Sequence, residues 1–207
     1  MQEVVDLYKR LAVVARDEGD RLASKHGLPA SEQPIGVLGQ TFNTAVMGLE
    51  VLDHYTTMWN RSAGGLTANQ VAALKAQNGE RIMKLNNSTF VSVMSACEFG
   101  AKQALRAGLK PNMKVRKRVY LAEIMEASQV AGQITQADLY GWDDARELRN
   151  VIIHNNAIPD VTTTLRVGPN SLTMVEDQMM QGNLKLIVEA TIWVAQAFGR
   201  WVDSSLS

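Results

Sequence analysis

The segment RNVIIHNN, residues 149–156, places an arginine, an asparagine and a histidine within one short apolar stretch. Histidine titrates near neutral pH, so His154 is suited to take a proton from a ribose 2′-hydroxyl or to give one to a leaving oxygen. Arg149 offers a fixed fork of N–H donors for the negative charge that grows on phosphorus during an attack. Asn150, one turn before His154, is placed to orient the imidazole or to contact the phosphate. These three are the candidate catalytic residues, and the chemistry requires no metal and no other cofactor.

The helix that carries this segment has a polar strip on the side away from the core. At 100° per residue, Leu148 and Ile152 face the protein's own core, and Asn150 and His154 lie on the opposite side. Apolar residues are expected to frame the strip: Val151, Ile153 and Trp142. Because soluble monomers rarely expose such a frame, we expect a second surface to cover it.

Arg149 and His154 point away from each other on one helix, since they lie about 140° apart around its axis. If two copies of the helix pack face to face about a twofold axis, the arginine and histidine of both copies converge on one cleft. A homodimer with a shared site is therefore the expected assembly.

The pattern from Arg149 to His154, RNVIIH, resembles the signature of the HEPN superfamily (higher eukaryotes and prokaryotes nucleotide-binding domains): an arginine, a polar residue, a few mostly apolar residues and a histidine. The resemblance implies an all-helical bundle that forms homodimers with the motif at the interface. For many members it also implies metal-independent cleavage of RNA that leaves a 2′,3′-cyclic phosphate, often in toxins or defence effectors that stop translation. We therefore expect an endoribonuclease acting on single-stranded RNA, with an antitoxin protein as a further partner to consider.

Two other interpretations of the same residues stay open. One is a non-catalytic module of this architecture that binds a nucleotide or a partner, and the other is a helical scaffold protein. In the scaffold, Asn155 and Asn156 would end the helix, His154 would be favoured by the helix dipole, and Arg149 would pair with a nearby acid.

A second stretch, RLASKH, has the same arginine-to-histidine spacing from Arg21 to His26. It runs into Gly27, where a helix is expected to end, and a histidine at a helix C-terminus is favoured by the dipole alone. Lys25 also replaces the apolar neighbour of the signature. We therefore give this copy no catalytic role.

Basic residues are concentrated between positions 100 and 120, where no acidic residue occurs. Such a segment attracts a phosphate backbone, although an antitoxin or another acidic partner would use it equally well. Within it, four residues are the candidate RNA-binding residues: Lys114, Arg116, Lys117 and Arg118. On the second helix, Glu50, Asp53 and His54 are better explained as a polar edge than as half of a metal site, because no third ligand follows at a suitable spacing.

Apolar residues recur with helical spacing along most of the chain. Helices are expected at the N-terminus, around Leu38–Trp59, at 115–131, at 137–156 and at 182–203. The segment 67–84 is polar enough to be a solvated helix, and a separate helix over 90–105 is expected to begin at a cap formed by Ser88 and Thr89. The spacing of apolar residues changes from helical to alternating only in VTTTLRVGPNSLTMVE, and this pattern predicts a hairpin around Gly168. The expected fold class is all-α, a helical bundle with a short β-hairpin before the last helix.

The length and composition of the chain limit the number of domains and the cellular setting. A chain of 207 residues favours a single domain over 1–207, with residues 1–36 as a helix and loop that are either integral or an extension. Its 21 basic and 21 acidic residues give no overall preference for an anionic or cationic partner. Cys97 is expected to be a buried structural thiol, which fits a reducing compartment. No apolar run is long enough to span a membrane or to act as a signal peptide, so we expect a soluble cytoplasmic protein.

Overall fold

The computed structural model describes the whole chain except Ala63, Asn112, 114–118, Asn155, Asn156 and 179–183. Within the described residues, six α-helices and one two-stranded antiparallel hairpin follow one another. They are α1 (Gln2–His26), α2 (Gly36–Ser62), α3 (Ala68–Arg106), α4 (Leu121–Val130), α5 (Gln136–His154), β1 (Thr163–Val167), β2 (Asn170–Met174) and α6 (Leu184–Leu206). The predicted class, all-α with a hairpin before the last helix, is confirmed.

Helix α6 is buried around most of its circumference. Ile192, Phe198 and Trp201 point to different sides of the helix, and each is at most 3% exposed. Only one narrow polar stripe, which includes Lys185 and Arg200, reaches the surface, so other elements must pack around the rest of the helix. One side of α6 packs with α1 and α2 around Tyr8, and the other packs with α3, α4, α5 and the hairpin around Phe90.

Ion pairs at both ends fix α1 and α6 as parallel neighbours. Near the helix N-termini, Lys185 Nζ lies 2.7 Å from Glu3 Oε2, and near the C-termini, Lys25 Nζ lies 2.6 Å from Asp203 Oδ1. Helix α1, which the sequence left as integral or an extension, thus packs along the length of α6.

A buried polar network ties α1, α3 and α6 together. The Tyr8 hydroxyl donates to Asn86 Oδ1 at 3.1 Å and lies 2.9 Å from Thr89 Oγ1. The Asn86 amide in turn donates to the Leu184 carbonyl at 2.6 Å. Burial raises the pKa of Tyr8 to about 12, so the hydroxyl keeps its proton at neutral pH.

Helix α3 is one continuous helix of 39 residues, not the two helices that the sequence predicted. The predicted cap at Ser88 and Thr89 is wrong, because Thr89 is buried in the middle of the helix against Tyr8. The helix begins instead with a capping box, in which Thr67 and Gln70 bond to each other's backbone N–H groups. The predicted apolar stripe is confirmed as buried: Phe90, Met94, Cys97, Ala101 and Leu105. Burial also raises the pKa of the Cys97 thiol, as expected for a structural cysteine.

The hairpin packs on α5 and α6 through its turn, one backbone hydrogen bond and a buried inner face. Gly168 has a φ of 63°, and its Cα lies so close to the Trp193 indole that no side chain fits there. The Arg166 N–H donates to Asp144 Oδ2 at 2.6 Å, which joins β1 to α5. The inner face of the hairpin consists of alternating buried residues: Leu165, Val167, Leu172 and Met174.

Three further predictions can be compared with the structure. Glu50, Asp53 and His54 are exposed on α2, and no group of three possible metal ligands occurs in the part of the chain that the structure describes. Among the described helices, none combines the length and the hydropathy needed to cross a bilayer. The predicted helix 115–131 begins too early, because Tyr120 is extended and α4 starts at Leu121, while 115–118 lie outside the described residues.

Substitution of Gly48 tests the contact between α2 and α1. An added Cβ would overlap the Tyr8 ring, so Gly48→Ala should lower the free energy of unfolding by about 1–3 kcal/mol. Gly39 on the same helix has open space around it, and Gly39→Ala should raise that free energy by about 0.5–1 kcal/mol through helix propensity. Urea denaturation measures both values, and a stabilising Gly48→Ala would contradict the described packing.

Candidate functional site

Helix α5 is anchored at its start and buried along one side. Thr135 and Asp138 bond to each other across the first turn, and Asp138 Oδ1 accepts a 2.6 Å hydrogen bond from Arg200 of α6. Burial acts to raise the pKa of Asp138, but the bonds from Arg200 and Thr135 outweigh it and lower that pKa. Ala145 and Leu148 are fully buried further along α5, which fixes the rotation of the helix.

Arg149 is half-buried and points toward α3. Its Nη1 donates to Glu98 Oε2 at 3.5 Å, while Glu98 Oε1 accepts a 2.6 Å hydrogen bond from Lys102 Nζ. The Nε of Arg149 is buried and has no hydrogen-bond partner among the described residues. The guanidinium is therefore held by one long bond and keeps donors for a further acceptor.

Asn150 and His154 lie elsewhere on the helix. Asn150 is half-buried, and His154 is exposed as the last residue of α5. Within the described residues, no hydrogen bond or ion pair joins Arg149, Asn150 and His154 to one another. The chain thus holds the arginine against α3 and leaves the imidazole on the outer surface, which agrees with the divergence expected from helix geometry.

The expected apolar frame of the polar strip is wrong for two of its three residues. Val151 is 6% exposed and Trp142 is 3% exposed, so both belong to the chain's own core. Trp142 packs against Trp193 with ring centroids 5.7 Å apart. The reason is that α3, α4, the hairpin and α6 all contact α5, so its buried arc is wider than half the circumference. Ile153, at 42%, does remain exposed.

Sequence reasoning missed Glu98 and Tyr120. Lys102 bridges them, because its Nζ bonds to Glu98 and lies 6.0 Å from the centroid of the Tyr120 ring. The spacing of Glu98 and Lys102 on one helix was a usable signal. The contact of Glu98 with Arg149 spans 51 positions and left no local trace in the sequence.

The candidate RNA-binding residues lie outside the described residues: Lys114, Arg116, Lys117 and Arg118. Of the same basic run, Lys102 is bound to Glu98, and Arg106 and Lys110 are exposed. Asn155 and Asn156, the expected end of the α5 segment, also lie outside the described residues.

The second arginine–histidine pair is bound to a carboxylate. Arg21, Lys25 and His26 all contact Asp203, at 2.9, 2.6 and 2.8 Å. Helix α1 ends at His26, followed by Gly27 with a φ of 64°, as expected for a helix C-terminus. Burial acts to raise the pKa of Asp203, but the hydrogen bonds from these three side chains outweigh it and hold that pKa well below its usual range.

The fold and the site together define an all-α protein whose fifth helix ends in an arginine–asparagine–histidine segment. Comparison of the chain with protein-family models, curated proteins and solved structures finds no match. The resemblance to the HEPN superfamily therefore rests on the residues from Arg149 to His154 and on the helix order.

Substitution of Asp203 tests the cluster at the end of α1. Asp203→Asn should lower the free energy of unfolding at pH 7 by roughly 1–3 kcal/mol, because the charged acceptor of three donors is lost. Asp17→Asn is the matched control, since Asp17 pairs with Arg16 on an exposed surface and should change it by less than about 0.5 kcal/mol.

The pH dependence gives a second readout. A carboxyl with a lowered folded-state pKa stabilises the protein above its unfolded-state pKa of about 3.9, and this stability is lost as the pH falls through the folded-state value. The difference between the native protein and Asp203→Asn should therefore shrink below about pH 4. A difference that stays constant down to pH 2 would rule out this electrostatic origin.

Proposed function

We propose that this protein is a metal-independent endoribonuclease of the HEPN type, which cleaves single-stranded RNA as a homodimer. The proposal rests on the exposure of His154 and on the hydrogen bonding of Arg149. His154 is exposed at the end of α5, and the Arg149 guanidinium is fixed to α3 by one long bond with donors to spare. A toxin or defence effector is the biological role that fits this activity, and an antitoxin protein would be its regulator.

In the proposed reaction, the ribose 2′-oxygen attacks the adjacent phosphorus. The bond from the 2′-oxygen to phosphorus forms, the bond from phosphorus to the 5′-oxygen breaks, and the products carry a 2′,3′-cyclic phosphate and a 5′-hydroxyl. His154 acts as the general base that accepts the 2′-hydroxyl proton or as the general acid that protonates the 5′-oxygen. Arg149 stabilises the charge on the phosphorane, and Asn150 orients these groups.

The proposal needs a second copy of the chain, because Arg149 and His154 of one copy diverge. The outer side of α5 supports such a pairing, since it exposes two large apolar residues, Ile153 at 42% and Tyr140 at 63%, at the two edges of the part of the helix that the protein's own core leaves uncovered. Two antiparallel copies of α5 would bring the imidazole of one protomer toward the guanidinium of its partner. This arrangement would also supply two histidines, one for each proton transfer.

A non-catalytic binding module is the second candidate, and one observation favours it. The Glu98 carboxylate already contacts Arg149, and such a pairing with a nearby acid is expected where the arginine has no catalytic role. A protein of this kind would bind a nucleotide without cleaving RNA. Calorimetry that detects nucleotide binding, combined with no cleavage of varied RNAs, would select this function.

Cleavage assays on single-stranded RNA test the catalytic roles. His154→Ala and Arg149→Ala should each reduce the cleavage rate by about 100-fold or more. His54→Ala and Arg16→Ala are matched controls, since His54 and Arg16 are exposed on α2 and α1, and they should leave the rate unchanged. Equal cleavage by the native protein and by His154→Ala would eliminate the proposed mechanism.

Mixing the two inactive variants tests whether the site is shared. In a mixed dimer of His154→Ala and Arg149→Ala, one intact imidazole and one intact guanidinium come from different protomers. A shared cleft should regain a measurable part of the native activity after the mixture is refolded together, whereas a site built within one chain should regain none. Light scattering on the same samples should show a dimer, and a monomer at every concentration would exclude the shared cleft.

A further inference from the structure

The surface beside Arg149 carries a second cation and an exposed aromatic ring. Lys102, one turn after Glu98 on α3, has its ammonium group bonded to the same carboxylate that contacts Arg149. Tyr120 lies just before α4, and its side chain is 57% exposed. The Lys102 ammonium group lies between these features, 2.6 Å from Glu98 and 6.0 Å from the centre of the Tyr120 ring.

The Glu98 carboxylate has more cations around it than it can neutralise. Two cations, Arg149 and Lys102, contact it, so these three side chains carry one net positive charge at neutral pH. The Glu123 carboxylate is the acidic group at Tyr120, where it accepts the backbone N–H at 3.5 Å. A phosphodiester carries one negative charge, so one such group would balance Arg149, Lys102 and Glu98.

The Tyr120 ring supplies what a nucleotide needs beyond its phosphate. An exposed aromatic face stacks on a nucleobase, and this contact tolerates any base because every base has a π-face. A nearby ammonium group strengthens the preference of such a site for a nucleotide, because it attracts the phosphate attached to the stacked base. Lys102 therefore links the Tyr120 ring with Glu98, which in turn contacts Arg149.

We infer that Lys102 and Tyr120 form a nucleotide subsite beside Arg149, in which Lys102 contacts a phosphate of single-stranded RNA and Tyr120 stacks on the neighbouring base. Glu98 positions both cations through its two oxygens. The inference rests on the proposed function for the identity of the ligand, and it assigns substrate-binding roles to residues outside the RNVIIH segment.

Fluorescence anisotropy with a short 2′-O-methyl oligonucleotide tests the subsite, because this probe binds without offering a 2′-hydroxyl for attack. Lys102→Gln should weaken binding about three- to tenfold and reduce the salt dependence of log K by about 0.7, the value for one lost contact to a single strand. Tyr120→Ser should weaken binding about fivefold or more with the salt dependence unchanged, and Tyr120→Phe should bind like the native protein.

Lys84→Gln is the matched control for the loss of a lysine on α3. Lys84 is exposed on the same helix, about five turns earlier and roughly 27 Å away, so its loss should leave binding unchanged. Thermal denaturation of each variant separates a lost contact from a lost fold, since Lys102 and Tyr120 are at most half-buried and neither change should disturb the core.

The outcomes separate the two proposals. Native binding that is weakened by both Lys102→Gln and Tyr120→Ser supports the subsite, even if unmodified RNA is not cleaved and the ribonuclease proposal fails. Cleavage by the native protein together with unchanged binding by both variants overturns the subsite and leaves the ribonuclease proposal intact. Absence of oligonucleotide binding by the native protein overturns the subsite, and the cleavage assay on unmodified RNA then decides the ribonuclease proposal by itself.

Discussion

The burial of α6 on nearly all sides is the constraint on which the rest of the structure depends. Apart from the polar stripe of Lys185 and Arg200, the helix has no stable exposed face, so other elements must cover the remaining sides. Helix α1 covers one side in parallel orientation, with its ends held by Glu3 and Lys25. Helix α5 and the hairpin cover another side through Trp193, against which both Trp142 and Gly168 pack. This packing fixes the rotation of α5, and so it determines that Arg149 faces α3 and that His154 faces outward.

The two arginine–histidine spacings in the chain have different physical settings. The C-terminal ends of α1, α4 and α6 line a pocket of about 330 Å³ together with the segment after α3, so their carbonyl groups create a negative potential there. Two lysines line this pocket, Lys25 and Lys110, and Asp203 of the same pocket is contacted by Arg21 and His26. These basic side chains offset the negative potential of the helix C-termini and the charge of Asp203. Basic residues near a helix end are therefore weak indicators of a nucleic-acid site.

The sequence predicted the elements well wherever a single face of a helix is buried. The stripe from Phe90 to Leu105 and the hairpin around Gly168 follow directly from periodicity, because each has one buried side. Periodicity failed where burial is broader, as at Val151 and Trp142, since a helical wheel gives the direction of a side chain but not the number of neighbours around it. It also failed at Thr89, where a polar residue with a good capping chemistry instead bonds inside the core. Contacts between distant positions, such as Glu98 with Arg149, depend on the final packing of α3 against α5 and are not encoded locally.

The unequal bonds of Glu98 decide how Arg149 behaves toward an anion. The carboxylate lies 2.6 Å from Lys102 Nζ but 3.5 Å from Arg149 Nη1, so its strongest interaction is with the lysine. Breaking a partly buried ion pair is costly mainly when it leaves one charge without a partner. An approaching phosphate that drew the guanidinium away would leave Glu98 paired with Lys102, and the arginine would exchange one acceptor for another. The exchange therefore requires little electrostatic work, and a half-buried arginine with a carboxylate neighbour is compatible with anion binding at this position.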